Sequence, residues 1–158
     1  MQVKVAKSLN TMGGCCEIKI DMLEDYFVKP FSGAQSRRKR SELCDGFREW
    51  LKVVSYYGMI SEVWINGFFA TDDEMPECVD VACVVHSNKK RLSDEEQKEF
   101  GHLTRKKNWY IVEKYHCSVE LSLMFDDHIE KYGKIWFGEF RYDDSSGKPR
   151  GIFKITLL

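Results

Sequence analysis

Two carboxylates, one thiol and one glycine carry most of the chemistry this sequence could do. An apolar run over residues 61–69 ends in Trp64-Ile65-Asn66-Gly67-Phe68-Phe69-Ala70-Thr71. An acidic turn follows, Asp72-Asp73-Glu74-Met75-Pro76-Glu77, and a second apolar run then carries Cys78 and Asp80 two residues apart. Side chains alternate along a strand, so positions 78 and 80 project from one face. A later alternating run, residues 117–124, sets Ser118, Glu120 and Ser122 on its polar face, with Glu120 the carboxylate among them. A thiol such as Cys78 becomes a nucleophile when a histidine takes its proton. His86, His102 and His116 are available in the chain, but no spacing sets one beside Cys78, and a buried, inert thiol is the commoner condition.

The remaining charged cluster is Ser36-Arg37-Arg38-Lys39-Arg40. It opens a helical pattern, where the positive end of the dipole repels cations. The run is either a solvated first turn or a contact for an anion or an acidic partner.

These residues need elements to hold them. Leu43, Phe47, Leu51 and Val54, with Trp50 alongside, recur at helical spacing and form the buried stripe of a helix that Gly58 can stop. Residues 61–69 and 79–86 read as strands, the second apolar on both faces and therefore central. Ser93 with Glu96 three residues on is a capping box for a helix running to about Lys106. Residues 16–22 alternate as a short half-buried strand, and residues 23–31 are apolar and aromatic. Residues 109–115 fit either helix or strand. Residues 125–133 read as a short helix, and residues 136–142 and 151–157 as two strands joined by a polar turn.

The chain of 158 residues is of a size for one domain, 1–158, with one core. Hydrophobic residues at 43% and charged residues at 31% are globular values, and no apolar run approaches the roughly 20 residues that span a bilayer. The first seven residues lack the apolar centre of a signal peptide, so the expected location is cytoplasmic, with no membrane partner. A net charge of −1 gives no overall pull towards nucleic acid. Six cysteines without a C-x-x-C pair read as reduced, mostly buried thiols, with no metal site among them.

The layout around Gly67 resembles the nucleotidyltransferase superfamily related to DNA polymerase beta. More closely, Trp64-Ile65-Asn66-Gly67, Thr71 and Pro76 resemble a bacterial family of small nucleotidyltransferase-like proteins that read W-I-D-G-S-F-x-T, a charged turn, then P-x-D-h-D. The likeness extends to the Ser/Arg-rich helix start at 36–40, to residues 137–141, and to Arg150-Gly151-Ile152. It implies an α/β (α+β) fold: a nucleotidyltransferase-like mixed sheet with helices mainly on one face and an extra C-terminal hairpin. In such proteins the glycine lets the backbone approach a triphosphate. Acids two residues apart, with a third from a later strand, hold magnesium for the transfer. Here the family's Ser is Phe68, its first Asp is Cys78, its second survives as Asp80, and its third falls at Ser118.

The expectation is therefore a pseudoenzyme without a metal or other cofactor, with Gly67, Asp80 and Glu120 as vestiges. It acts by binding a protein partner through Arg37, Arg38, Lys39 and Arg40 or through Asp72, Asp73 and Glu74. The settings of related small nucleotidyltransferases imply an inhibitor, an antitoxin or a phage-defence factor. The alternative is an active, magnesium-dependent nucleotidyltransferase using Asp80 and Glu120.

Overall fold

The computed structural model describes residues 15–86, 91–125 and 152–157. They form a mixed α+β fold. The strands are β1 (Cys15–Glu17), β2 (Ile60–Asn66), β3 (Val79–Val85), β4 (Cys117–Phe125) and β5 (Ile152–Thr156), and the helices are α1 (Leu23–Phe27), α2 (Ala34–Ser55), α3 (Asp94–Thr104) and α4 (Trp109–Tyr115). The five strands form one sheet in the order β1-β5-β2-β3-β4. β2 runs antiparallel to both β3 and β5, whereas β3–β4 and β1–β5 are parallel. Among the described residues, no helix is long and apolar enough to cross a membrane.

Alternation decides which face of the sheet the helices cover. Val79, Val81, Cys83 and Val85 of β3 join one buried cluster with Val63 and Ile65 of β2 and Phe153 and Ile155 of β5. The same cluster takes Leu43, Phe47, Trp50 and Val54 from α2, and apolar side chains from α1, α3 and α4. All four described helices therefore pack on one face, as expected. The even positions of β3 point the other way, and Ala82 and Val84 there are buried too. That double burial is the signature of a central strand. Asp80 is also an even position, so it faces away from the helical layer.

Several polar groups inside this packing find partners. Trp50 donates its indole N–H to the Leu103 carbonyl at 3.0 Å, tying α2 to the end of α3. The capping box forms: the Ser93 hydroxyl accepts from the Glu96 amide at 3.2 Å, and the Glu96 carboxylate accepts from the Ser93 amide at 2.8 Å. α3 stops at Thr104, slightly before the expected end. Residues 109–115, which fit either state, are helix, because Asn108 caps them by accepting from the Tyr110 amide at 3.2 Å.

Two expectations are corrected. The strand predicted over 16–22 is β1 alone, extended by one bond from the Ile18 amide to the Lys154 carbonyl at 2.9 Å. A single 3-10 turn, Ile20–Met22, then leads into α1. The cause is the pair Leu23 and Phe27, one helical turn apart and both fully buried. Phe27 packs its ring on Phe69 and Phe153 with centroids 4.6 and 4.8 Å apart, and it draws the chain off the sheet into a helix. The second correction concerns the extra C-terminal hairpin. β5 is no appendage, because it lies inside the sheet between β1 and β2. The expected hairpin partner at 136–142, the helix at 125–133 beyond its first residue, and the N-terminal seven residues lie outside the described residues.

Candidate functional site

The corner formed by the end of β2 and the start of β3 holds the residues singled out by their chemistry. Asn66 pairs with Asp80 across the antiparallel ladder, and Asp80 pairs with Ser118 across the parallel one. Ser118 therefore stands beside Asp80, where the resemblance placed the family's third acid. The junction that sets this register is tight. His116 turns the chain from α4 into β4 in a left-handed conformation, and its carbonyl accepts from the Val79 amide at 2.7 Å. Gly46 of α2 makes room for that turn: a Cβ there would stand 2.4 Å from the Tyr115 carbonyl oxygen.

Gly67 ends β2 with φ 73° and ψ −163°, a conformation open in practice only to glycine. The chain then makes one 3-10 turn, Phe68–Ala70. This turn sends Phe69 into the core and leaves the Phe68 ring 57% exposed. A Cβ on Gly67 would lie 1.8 Å from Asp80 Oδ2 and 2.6 Å from its Cγ. The Asp80 carboxylate thus occupies the close approach that the missing side chain opens. On the other side of that carboxylate, the Cys78 thiol donates to Asp80 Oδ1 at 3.4 Å.

The acidic turn beyond is gripped from α2. Arg40 is fully buried. Its guanidinium donates to the carbonyls of Phe69 at 2.8 Å, Thr71 at 2.9 Å, Phe27 at 3.3 Å and, through Nε, Asp73 at 3.1 Å. The guanidinium carbon lies 3.8 Å from the Phe31 ring centroid. Burial lowers its pKa to about 10, which still leaves it a cation at neutral pH. Ser36, one turn earlier, donates to the Glu74 carbonyl at 2.7 Å. Within the turn, Asp73 Oδ1 accepts from the Met75 amide at 2.8 Å.

For Ser36 and Arg40 this corrects both readings of residues 36–40, a solvated first turn and a contact for an anion or an acidic partner. Ser36 and Arg40 are internal struts. Arg37 donates to the carbonyls of Phe31 and Lys29, the latter at 2.8 Å. Arg38 pairs with Glu42 at 3.3 Å on the exposed side. Carbonyl oxygens rather than an anion take up two of the cations at this helix start. A signal for the struts existed: positions 36 and 40 continue the buried spacing of 43, 47, 50 and 54 upstream. Partner contact through Arg40 is ruled out by its burial. Arg38 and Lys39 keep some exposure, as do Asp72, Asp73 and Glu74.

Phe68, Asp73, Met75, Pro76, Glu77, Cys78 and Asp80 enclose a hollow of about 450 Å³. Three carboxylates and no Lys or Arg stand in this lining. Met75, 52% exposed, and Phe68 are the large apolar side chains of the lining. A wider cleft of about 850 Å³ lies along β1, α2 and β5, but it shares no residue with the Gly67–Asp80 corner. The β3–β4 register slips between Val81 and Ala82, so the ladder passes from Val119 to Leu121 and leaves Glu120 in the irregularity. The Glu120 side chain lies outside the described residues.

Magnesium takes hard oxygen ligands in strict octahedral geometry. Beside Asp80 the sheet offers a thiol and a hydroxyl, and thiolate suits softer metals. Among the described residues, no group of three His, Cys, Asp or Glu side chains is placed to hold a metal ion. Among the described side chains, the donors beside Asp80 do not make up a two-magnesium site.

The thiols follow burial. Burial pushes Cys44 and Cys83 up to about 12 and Cys117 well above its ordinary value. At pH 8, iodoacetamide is therefore expected to label the part-exposed Cys16 and Cys78 in the native protein and to reach Cys44, Cys83 and Cys117 only in denaturant. Peptide mass spectrometry reads this directly, and equal labelling of these five cysteines without denaturant would contradict the packing described.

Fold and corner together define a mixed α+β protein whose strand-glycine-turn-strand motif encloses an acidic hollow rimmed by apolar side chains. The chain belongs to the family described as "Family of unknown function (DUF6932)", which matches residues 4–156. No curated protein and no solved structure matches it.

Proposed function

We propose that this protein is a binding module on a nucleotidyltransferase-like fold that no longer transfers nucleotides, and that its hollow receives a cationic segment of a protein partner. The observation that carries this reading is the Asp80 carboxylate filling the approach over Gly67. A phosphate arriving there meets a negative charge in its place. It meets the exposed Phe68 ring where a hydroxyl should bond it, and Asp73 and Glu77 close by. The same features suit a lysine or arginine from a partner. Carboxylates line the floor, and Phe68 and Met75 offer apolar lips for the aliphatic stem of such a side chain. By its resemblance to small nucleotidyltransferase-like proteins, the module is an inhibitor, an antitoxin or a phage-defence factor.

Two measurements test the reading. Calorimetry with ATP, GTP, CTP and UTP, each with Mg²⁺ or Mn²⁺, should give no binding heat. Metal-dependent heat that disappears in Asp80→Ala would overturn the proposal in favour of active transfer through Asp80 and Glu120. Affinity capture from the source cell should recover one stoichiometric protein, and capture should fail for both Phe68→Lys and Asp73→Lys. Capture that survives both changes would remove the hollow from the interface.

A further inference from the structure

The turn between α3 and α4 presents a second surface, unrelated to the hollow. Trp109 is 74% exposed and Tyr110 47% exposed, side by side at the start of α4. Large exposed apolar side chains that are contiguous, unlike single ones, mark interaction sites. Here they sit on a fixed support. The Asn108 side chain donates to the His102 carbonyl at 2.8 Å and accepts from the Tyr110 amide at 3.2 Å. The next residue back, Lys107, has φ 50°, and its amide donates to Val119 in β4 at 2.9 Å. The backbone that carries the rings is therefore tied to the sheet.

Lys114 touches Tyr110, Arg105 and Lys106 lie in the turn just before the rings, and one exposed carboxylate, Glu113, follows Trp109 by one helical turn. Arg105 and Lys106 are exposed and have no hydrogen-bond or ion-pair partner among the described residues. The Lys114 ammonium donates to the Tyr110 hydroxyl at 3.2 Å and lies 5.5 Å from that ring's centroid. The hydrogen bond to Tyr110 raises its pKa, so it stays charged. The His102 ring lies against Tyr110 with centroids 5.1 Å apart. The negative end of α3 accounts for a cation near Arg105, but not for two outward rings beside it.

We propose that this surface binds single-stranded nucleic acid, with bases stacked on Trp109 and Tyr110 and phosphates met by Arg105, Lys106 and Lys114. Rings that stack any base, flanked by side chains that neutralise the backbone, are what sequence-tolerant single-strand binding requires. The phosphates meet side-chain cations here, not the end of the short helix. A net charge of −1 is no bar, because at about 0.1 M salt charges farther apart than about 10 Å hardly sense each other.

Fluorescence anisotropy of a labelled twelve-nucleotide oligothymidylate tests this with the full chain. Binding is expected at 50 mM NaCl, and Trp109→Ala and Lys106→Glu should each weaken it about tenfold. With three phosphate contacts, affinity should fall about tenfold for a threefold rise in salt. Phe68→Asp should leave it unchanged, which separates this surface from the hollow. Trp109 is exposed, so its replacement should fold, and an unaltered thermal transition checks that it does. No anisotropy change up to 100-fold molar excess of protein would overturn the proposal. So would unaltered affinity in Trp109→Ala, or equal competition by polyglutamate or by phosphatidylserine vesicles.

Discussion

Arg40→Leu is expected to lower the unfolding free energy by about 3–5 kcal/mol, the range for breaking a buried polar network. The carbonyls of Phe27, Phe69, Thr71 and Asp73 would lose their shared donor at once. In a domain of this size, the melting temperature should fall by roughly 10 °C. Arg40→Lys should rescue little, because an ammonium offers its donors from one point and cannot span acceptors on two segments. Loss of the stack on Phe31 adds to the effect. A variant melting within about 2 °C of the parent would mean that water serves these carbonyls equally well.

Gly67→Ala should cost about 2–4 kcal/mol. Its backbone conformation alone accounts for about 1–3 kcal/mol of that. The rest is collision, since the new methyl would stand 1.8 Å from Asp80 Oδ2. The two contributions can be separated. In an Asp80→Ala background the carboxylate is gone and only the backbone strain remains, so the same glycine substitution should cost at least about 1 kcal/mol less. Strictly additive costs in the four-member cycle would show that the carboxylate does not press on Gly67. They would also remove the reason given for excluding phosphate from the corner.

Much of the frame was legible because it is local. The α2 stripe, the Ser93 capping box and the doubly apolar β3 each declare themselves within a few residues, through spacing and burial preference. The resemblance put the family's third acid at Ser118, and the parallel pairing of β3 with β4 sets that residue beside Asp80. What could not be read depends on contacts between distant segments. Residues 16–22 alternate as a strand should, yet Leu23 and Phe27 find Phe69 and Phe153, and that aromatic packing outweighs the local period. Arg40 sits in a run of cations that looks solvated, and only the folded chain brings four carbonyls to it. Gly67 carried the right signal for a second reason: the position needs glycine here because a carboxylate lies against it. Nothing in the sequence around Trp109 separated an exposed ring from a core one.

The position of β5 has a consequence for how the chain reaches this state. The strand comes last in chain order among those described, yet it is the one that joins β1 to β2. Until it arrives, β2 has a bare edge and β1 has no strand to pair with. Contacts so far apart in the chain are slow to form, because the loop must close before they contribute. Folding should therefore pass through a stage in which β2, β3 and β4 are packed under α2 while one flank of β2 stands open to any other strand. That exposed flank is where association between unfinished copies would begin.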